Sequence, residues 1–444
     1  MRFKKHQKRN SLKPGYDKIA MQNFYLLDYL IDSGVLSPEL FDCLKYELDQ
    51  HIYYYGNHFK YPKEKSYSGH KIKPRTLIKH MYFGYQILKN RKIDATKKTI
   101  LSNSYFNVNS ELRKLNYNVF SPSWWMSSDR IVLTNLKLHL KSEKIKRKFE
   151  YGTFSELVSE SFAGLINDFY YELNDFYLKK KISALIVPND VTFFENLSIQ
   201  LCKTNNIPSF IFLHGLPGRY NIIDENRSDY LIVWGEKIKE NYVKTGFNPT
   251  KIYISGHPYY KMVTNNKLRF SLDNILILTK SMNGGQHGNE VVLGDRGNSI
   301  LYLLQIQEVL KKSGVTNVRF RPHPCENPLW YKRFLDNKFF VLDTIPLDQS
   351  LNQSTLVIGP TSTVMIESLY YGVNYLLYEP NVDGIDLFNY PLVAPFDGSD
   401  SKVPLAQTES DLIHFINSRN SIDLSFLKEY ISTPFNLEFV RDLI

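Results

Sequence analysis

The sequence predicts an α/β protein built of two tandem Rossmann-like, doubly wound domains behind a helical N-terminal extension. Three observations predict it. The chain has 444 residues, past the size at which a single hydrophobic core keeps growing. From about Lys97 onward, short runs rich in Val, Ile, Leu and Phe alternate with longer helix-like stretches, as βαβ units around a parallel sheet do. The pattern breaks once, around Tyr259 to Leu272, in the aperiodic polar stretch YYKMVTNNKLRFSL, and then restarts.

Taken in order, residues 1–95 read as a basic, mostly helical extension to which the sequence assigns no role. Its first twenty residues carry Arg2, Lys4, Lys5, Lys8, Arg9, Lys13 and Lys18 against Asp17, and a second basic and aromatic run spans Lys60 to Tyr85. Residues 96–260 form the first domain, with strands expected at 98–103, 117–122, 183–190, 209–215, 229–235 and 251–258 and helices at 154–180 and 191–206. The stretch 259–272 is the expected linker. Residues 273–420 form the second domain, with strands at 274–280, 317–324, 339–345, 354–360 and 374–380. Its helices are expected at 298–312, around 329–335 and at 363–371. Residues 421–444 are expected to be a helix that crosses back over the first domain.

Composition narrows the class of partner. With 43% hydrophobic and 23% charged residues the chain is an ordinary globular protein. Its net charge of +10 favours an anionic partner, whether nucleic acid, lipid surface or phosphorylated small molecule. The basic N-terminal region reads either as a solvated face or as a dock for an anionic membrane surface; nucleic acid is set aside. No apolar segment follows the N-terminal charges as in a secretory leader, and no apolar run reaches the roughly 18 residues of a spanning helix. Cys43, Cys202 and Cys325 are too few and too scattered for a disulfide framework or zinc site. The expected address is cytoplasmic, or peripheral on the inner face of the cell membrane.

In open parallel sheets, ligands sit beyond the carboxyl ends of the strands. The candidate residues are therefore the polar ones that end each apolar run. In the second domain these are Lys280, the NGG turn of Asn283, Gly284 and Gly285, the RPHP loop of Arg321, His323 and Pro324, and the hydroxyl triplet Thr361, Ser362 and Thr363 before a helix that contains Glu367. Flanking prolines stop the strand before His323. Hydroxyls at a helix start either cap it or present themselves, with free backbone NH groups, to a phosphate. A cationic pair at Arg321 and His323 suits the same phosphate. No Gly-rich segment matches GxGxxG or a P-loop, which argues against dinucleotide oxidoreductases and kinases. In the first domain, His214 in FLHGLPG, or Asp190 one strand earlier, is placed to deprotonate an acceptor hydroxyl. His257, in a second HP pair beside the linker, reads as structural.

These residues carry a family resemblance over about Lys97 to Asn417. LHGLPG, DYLIVWG, ISGHPYY, RPHP and TSTVMIESLYYG resemble the GT-B glycosyltransferases of bacterial surface polysaccharides, most closely the capsule and lipopolysaccharide sialyltransferases and Kdo transferases that use CMP-activated sugars. The resemblance implies an HP motif at His323 and Pro324 and a Ser/Thr pair at Ser362 and Thr363, holding the donor nucleotide. It also implies metal-independent transfer from a nucleotide-sugar, without other cofactor, to an oligosaccharide or glycolipid acceptor. The teichoic-acid type glycerol- and ribitol-phosphate transferases share the HG and RxHP layout, but carry an acidic residue where this chain has Gly359, Pro360 and Thr361. The acidic motif of many sialyltransferases is absent as well, since Asp190 precedes Val191. A sugar-nucleotide 2-epimerase would require an acidic residue and paired glycines in place of PTSTVMIE. A non-catalytic nucleotide- or lipid-binding component of the same machinery is the remaining alternative.

Overall fold

The computed structural model describes residues 37, 40–48, 74–89, 93–125, 131–217, 220, 228–260, 267–280, 293–324, 326, 328–382, 385–387 and 392–444. The first sheet has six strands, β1 (Thr99–Ser102), β2 (Asn118–Phe120), β3 (Ile182–Val187), β4 (Ser209–Phe212), β5 (Tyr230–Val233) and β6 (Ile252–Ile254). They lie in the order β2-β1-β3-β4-β5-β6, and every pairing is parallel. The second sheet comprises β7 (Ile275–Leu278), β8 (Val318–Arg321), β9 (Phe340–Leu342), β10 (Leu356–Gly359), β11 (Tyr375–Tyr378) and, after the short antiparallel pair β12 (Asn381–Val382) and β13 (Ile385–Asp386), the edge strand β14 (Leu405–Ala406). Its order is β14-β11-β10-β7-β8-β9, again all parallel. The two orders have different switch points. In the first sheet the direction of winding reverses between β1 and β3, and in the second between β7 and β10.

The expected α/β class and both sheets are present. Within the second sheet the pleat separates two cores: Ile275, Ile277, Leu356 and Ile358 face one apolar cluster. Leu276, Leu278 and Val357 face the other, which continues into the first domain. Strands buried on both faces read as unbroken apolar runs, which is why they were visible in the sequence.

The helices depart from expectation in three places. The predicted helix 154–180 is a single turn, Phe154–Leu157, followed by α6 (Glu160–Lys179), because Ser159 accepts a hydrogen bond from the Phe162 NH and starts a new helix. The predicted helix around 329–335 is one turn, Pro328–Tyr331. The predicted C-terminal helix is two short ones, Ser425–Tyr430 and Val440–Leu443, separated by the stretch that contains Pro434. The extension expected to be helical contributes α1 over residues 40–48 and α2 (Pro74–Lys89), and helices outside the expected set include α3 (Asn109–Lys114), α4 (Leu136–Tyr151), Glu236–Lys244, Leu347–Gln353 and Glu409–Ser418. The remaining label used below, α5, denotes the turn Phe154–Leu157, and α7 the helix Phe193–Thr204 that follows β3.

The expected linker is also shorter than 259–272. Arg269 bridges to Val373, and its guanidinium donates to the carbonyls of Leu351, Asn352 and Tyr371, so that part of the chain already belongs to the second domain. The chain returns to the first domain near its end. Ser432 NH donates to Trp234 O (2.8 Å), Asn436 NH to Ser255 O (2.8 Å), and Phe439 stacks on Tyr253. Gly235 and Gly256 make this approach feasible: a Cβ on Gly235 would lie 2.4 Å from the Tyr430 carbonyl carbon, and one on Gly256 2.3 Å from Ser432 O. A cavity of about 1170 Å³ lined by Tyr260, Arg269, Ile366, Arg419, Leu427 and Ile431 lies beside the two crossings.

Candidate active site

Because each sheet is parallel, all its strand ends share one edge. In the second domain that edge carries Lys280 after β7, the 321–326 loop after β8, Thr361 to Thr363 after β10, and Glu379 after β11. Lys280 and Thr361 flank the switch point itself. Gly359 ends β10 without a side chain because the Tyr375 phenol occupies that space: a Cβ there would come 2.2 Å from its oxygen. The Tyr375 hydroxyl donates to Pro360 O (2.5 Å), which fixes the start of the turn.

The RPHP loop is held from beneath. The His323 NH donates to Thr279 Oγ1 (3.0 Å) and to Glu326 Oε2 (2.9 Å), and Glu326 also accepts from the Thr279 hydroxyl and from the Tyr331 hydroxyl (2.6 Å). Burial raises the Glu326 carboxyl above its ordinary value, against these hydrogen bonds. Pro324 lies in the turn that follows His323. Burial lowers Lys280 to about 8, opposed by the nearby Glu379 carboxylate. Burial, and then the Lys280 charge, push His323 below the usual imidazole range. At neutral pH the edge therefore offers an ammonium beside a neutral imidazole.

Arg321 has a different environment. Its Nε donates to Asp343 Oδ2 (2.9 Å) and its terminal nitrogen to Ile345 O, so the guanidinium ties β8 to the loop after β9. Arg319, two residues earlier on the same strand face, likewise donates to Asn274, Ser350 and Ser354. The hydroxyl triplet divides into three roles. Thr361 is buried, its NH donates to Glu379, and its own hydroxyl has no hydrogen-bond partner among the described residues. Ser362 Oγ accepts from Val364 NH (3.2 Å) at the start of the seven-residue helix Val364–Tyr370. Thr363 Oγ1 accepts from Leu216 NH (3.3 Å), a residue of the first domain. Glu367, one turn on, accepts from Tyr260 OH (3.5 Å), and burial raises its carboxyl. Asn283, Gly284 and Gly285 lie outside the described residues.

Across that contact, His214 follows β4. Its Nδ1 lies 3.0 Å from Pro188 O. A carbonyl only accepts, so Nδ1 carries the proton and Nε2 keeps its lone pair. The ring lies at the exposed rim, yet in a concave setting against Tyr105 (centroids 5.0 Å apart), and desolvation lowers its pKa. Asp190, by contrast, is 1% exposed, and Asn189 beside it accepts from Val191 NH and Thr192 NH at the start of α7. Of the two sequence candidates for a base, His214 is the one open to the gap between domains. His257 stacks on Tyr260 (3.9 Å), accepts from the Tyr259 and Tyr260 NH groups, and is driven by burial to about 3; it is a neutral structural residue.

Several site residues escaped the sequence reading. Glu379 and Thr279 end strands as the chosen candidates do, and the same rule would have found them. At the β1/β3 switch point, Asn103 donates to Glu195 (2.7 Å), and Glu47 of α1 accepts from Phe193 NH at the start of α7. Burial, helped by Glu195, lifts the Glu47 carboxyl to about 7. Nothing in the sequence links α1 to that strand end. Among the described residues no group of three or more His, Cys, Asp or Glu could hold a metal ion.

No family model matches the chain, and no curated protein matches it. Among solved structures it is similar to Methanocaldococcus jannaschii UDP-GlcNAc 2-epimerase in complex with UDP-GlcNAc and UDP, at 14% identity over 78% of this chain and 98% of the other, with a TM-score of 0.45. It is also similar to the lipopolysaccharide outer core galactosyltransferase WaaB (9% identity, 78% and 98% covered, TM-score 0.42) and to Anabaena HepE in complex with UDP and glucose (10%, 78% and 99%, 0.39). At such identities the likeness concerns the course of the backbone and transfers no residue.

Proposed function

We propose that the protein is a glycosyltransferase that moves a sugar from a nucleotide-activated donor, gripped at the β7/β10 switch point, to a hydroxyl of a glycan acceptor presented by the first domain. The observation that carries the reading is the Leu216–Thr363 contact, which sets the His214 loop and the hydroxyl triplet face to face at the gap between the two sheets. An ammonium and hydrogen-bond donors on one rim oppose a neutral imidazole with a free lone pair on the other. Such a pair matches the two demands of glycosyl transfer. The acceptor oxygen bonds to the anomeric carbon while its proton passes to His214 Nε2. The bond from that carbon to the donor phosphate breaks, and the electron pair leaves on the phosphate oxygen beside Lys280. Closure of the gap would exclude water and limit donor hydrolysis.

Within this class, the HP pair at His323 and the Ser/Thr pair at Ser362 and Thr363 favour a CMP-activated donor and a growing surface glycan as acceptor. The test is nucleotide release from CMP-, UDP-, GDP- and CDP-activated sugars and from CDP-glycerol, with and without oligosaccharide acceptors. Acceptor-dependent release from a CMP-sugar is expected; consumption of CDP-glycerol instead would make the protein a polyol-phosphate transferase, and interconversion of UDP-GlcNAc without transfer an epimerase. In the active assay, His214→Ala should lower kcat by about 10²- to 10⁴-fold and leave donor binding intact. Undiminished turnover would remove His214 from the mechanism.

A further inference from the structure

Helix α2 turns its apolar side outward. Phe83 is buried and its ring packs on His139 of α4, 5.1 Å between centroids. On the opposite line of the helix, three and four residues apart, stand Ile78, Met81, Tyr85 and Leu88, of which Ile78, Met81 and Leu88 are 63–68% exposed. Helix α4 repeats the arrangement. Its inner line is Leu138, Ser142 and Ile145, all at 0% exposure, and its outer line is Leu136, Leu140, Lys144 and Arg147. Leu136 and Leu140 are about 60% exposed, and neither Lys144 nor Arg147 forms an ion pair among the described residues. Two helices that touch through Phe83 and His139 thus each carry an outward apolar line, and that of α4 runs on into cations.

Long apolar side chains gathered on the exposed side of a helix, rather than scattered singly, mark a surface that something covers. A protein partner and a bilayer would both cover it, and charge separates them. In sequence, the stretch that leads into α2 carries Lys60, Lys63, Lys65, Lys71 and Lys73 against the single acid Glu64, in a chain of net charge +10. A second copy would bring the same cations and repel; an anionic headgroup layer attracts them while its acyl boundary takes the leucines and methionine. We infer that the outer face of α2 and α4 is a membrane-docking surface for anionic lipid, which lays the first domain against the bilayer. The inference stands independently of the donor and reaction proposed above.

The experiment is flotation of the full chain, without any sugar donor, with vesicles of pure phosphatidylcholine and of an equimolar phosphatidylcholine and phosphatidylglycerol mixture. Partition is expected to be at least about tenfold greater onto the anionic vesicles and to fall steeply with added salt. The double variant Met81→Asp with Leu140→Asp should lose about tenfold or more of that partition with an unchanged melting temperature. Should it fold poorly, Leu136→Gln with Leu140→Gln replaces it. Lys144→Glu with Arg147→Glu should weaken anionic partition and leave binding to neutral vesicles as it was. Equal partition onto both vesicles, variants that float like the wild type, or a dimer that the apolar substitutions dissolve would each overturn the inference.

Discussion

Charge at three desolvated side chains decides how the molecule responds to pH. Lys280, held at about 8, is charged at pH 7 and loses its proton as pH rises through 8. Nucleotide affinity should therefore fall between pH 7 and 9 in isothermal titrations, and Lys280→Met should abolish that slope while weakening binding at pH 7 by about 10- to 100-fold, the worth of a charge-assisted hydrogen bond. His214 lies below its ordinary pKa because it is desolvated, so its base form persists in mild acid. The acidic limb of kcat/KM against pH should fall below the usual histidine value near 6.5. Glu47 moves the other way. Its folded carboxyl titrates at about 7 against 4.5 unfolded, so the folded state binds more protons between those values. Stability should drop as pH climbs through that window, and Glu47→Gln should remove the slope and stabilise the chain at pH 8, by about 3 kcal/mol at most by linkage, in urea titrations at pH 5 and 8.

At the scale of elements, the strands were legible because burial on both faces writes them as apolar runs, and β3, β4, β7 and β10 coincide with the segments expected. The residues that end them are legible for the same reason, Lys280, His323 and His214 among them. What the sequence hid was partnership. Arg321 reads as an anion-binding cation until Asp343, 22 residues on, is seen to hold it. Ser159 looks like any hydroxyl inside an amphipathic pattern, yet its side chain begins α6. The outward side of α2 was hidden by its own period, since apolar spacing gives the direction of a helix face without saying what it faces. Gly256 belongs here too. Its φ is +76°, and its missing Cβ admits the Ser432 carbonyl. Gly256→Ala should cost roughly 1–3 kcal/mol and loosen the C-terminal segment, seen as a lower melting temperature and faster proteolytic release of the last residues.

For the whole molecule, the chain passes between domains twice, once after Tyr260 and again before Ser425. The apolar cluster of the first domain includes Phe426, Tyr430, Leu437 and Val440 from the very end of the sequence. Removing residues 425–444 should thus melt the domain from which they are most remote in sequence. In calorimetry, that truncation should lower the transition of the first domain and spare nucleotide-stabilised unfolding of the second.

The same segment orders events at the ribosome. Synthesis runs from the amino end, and domains ordinarily mature in that direction. Here the leading half must wait, its hydrophobic seam open at Trp234 and Tyr253, until residues 425–444 have cleared the exit tunnel, while the trailing half already has every strand it needs. The domain born first is completed last, and its exposed seam is where a nascent-chain chaperone would find its footing.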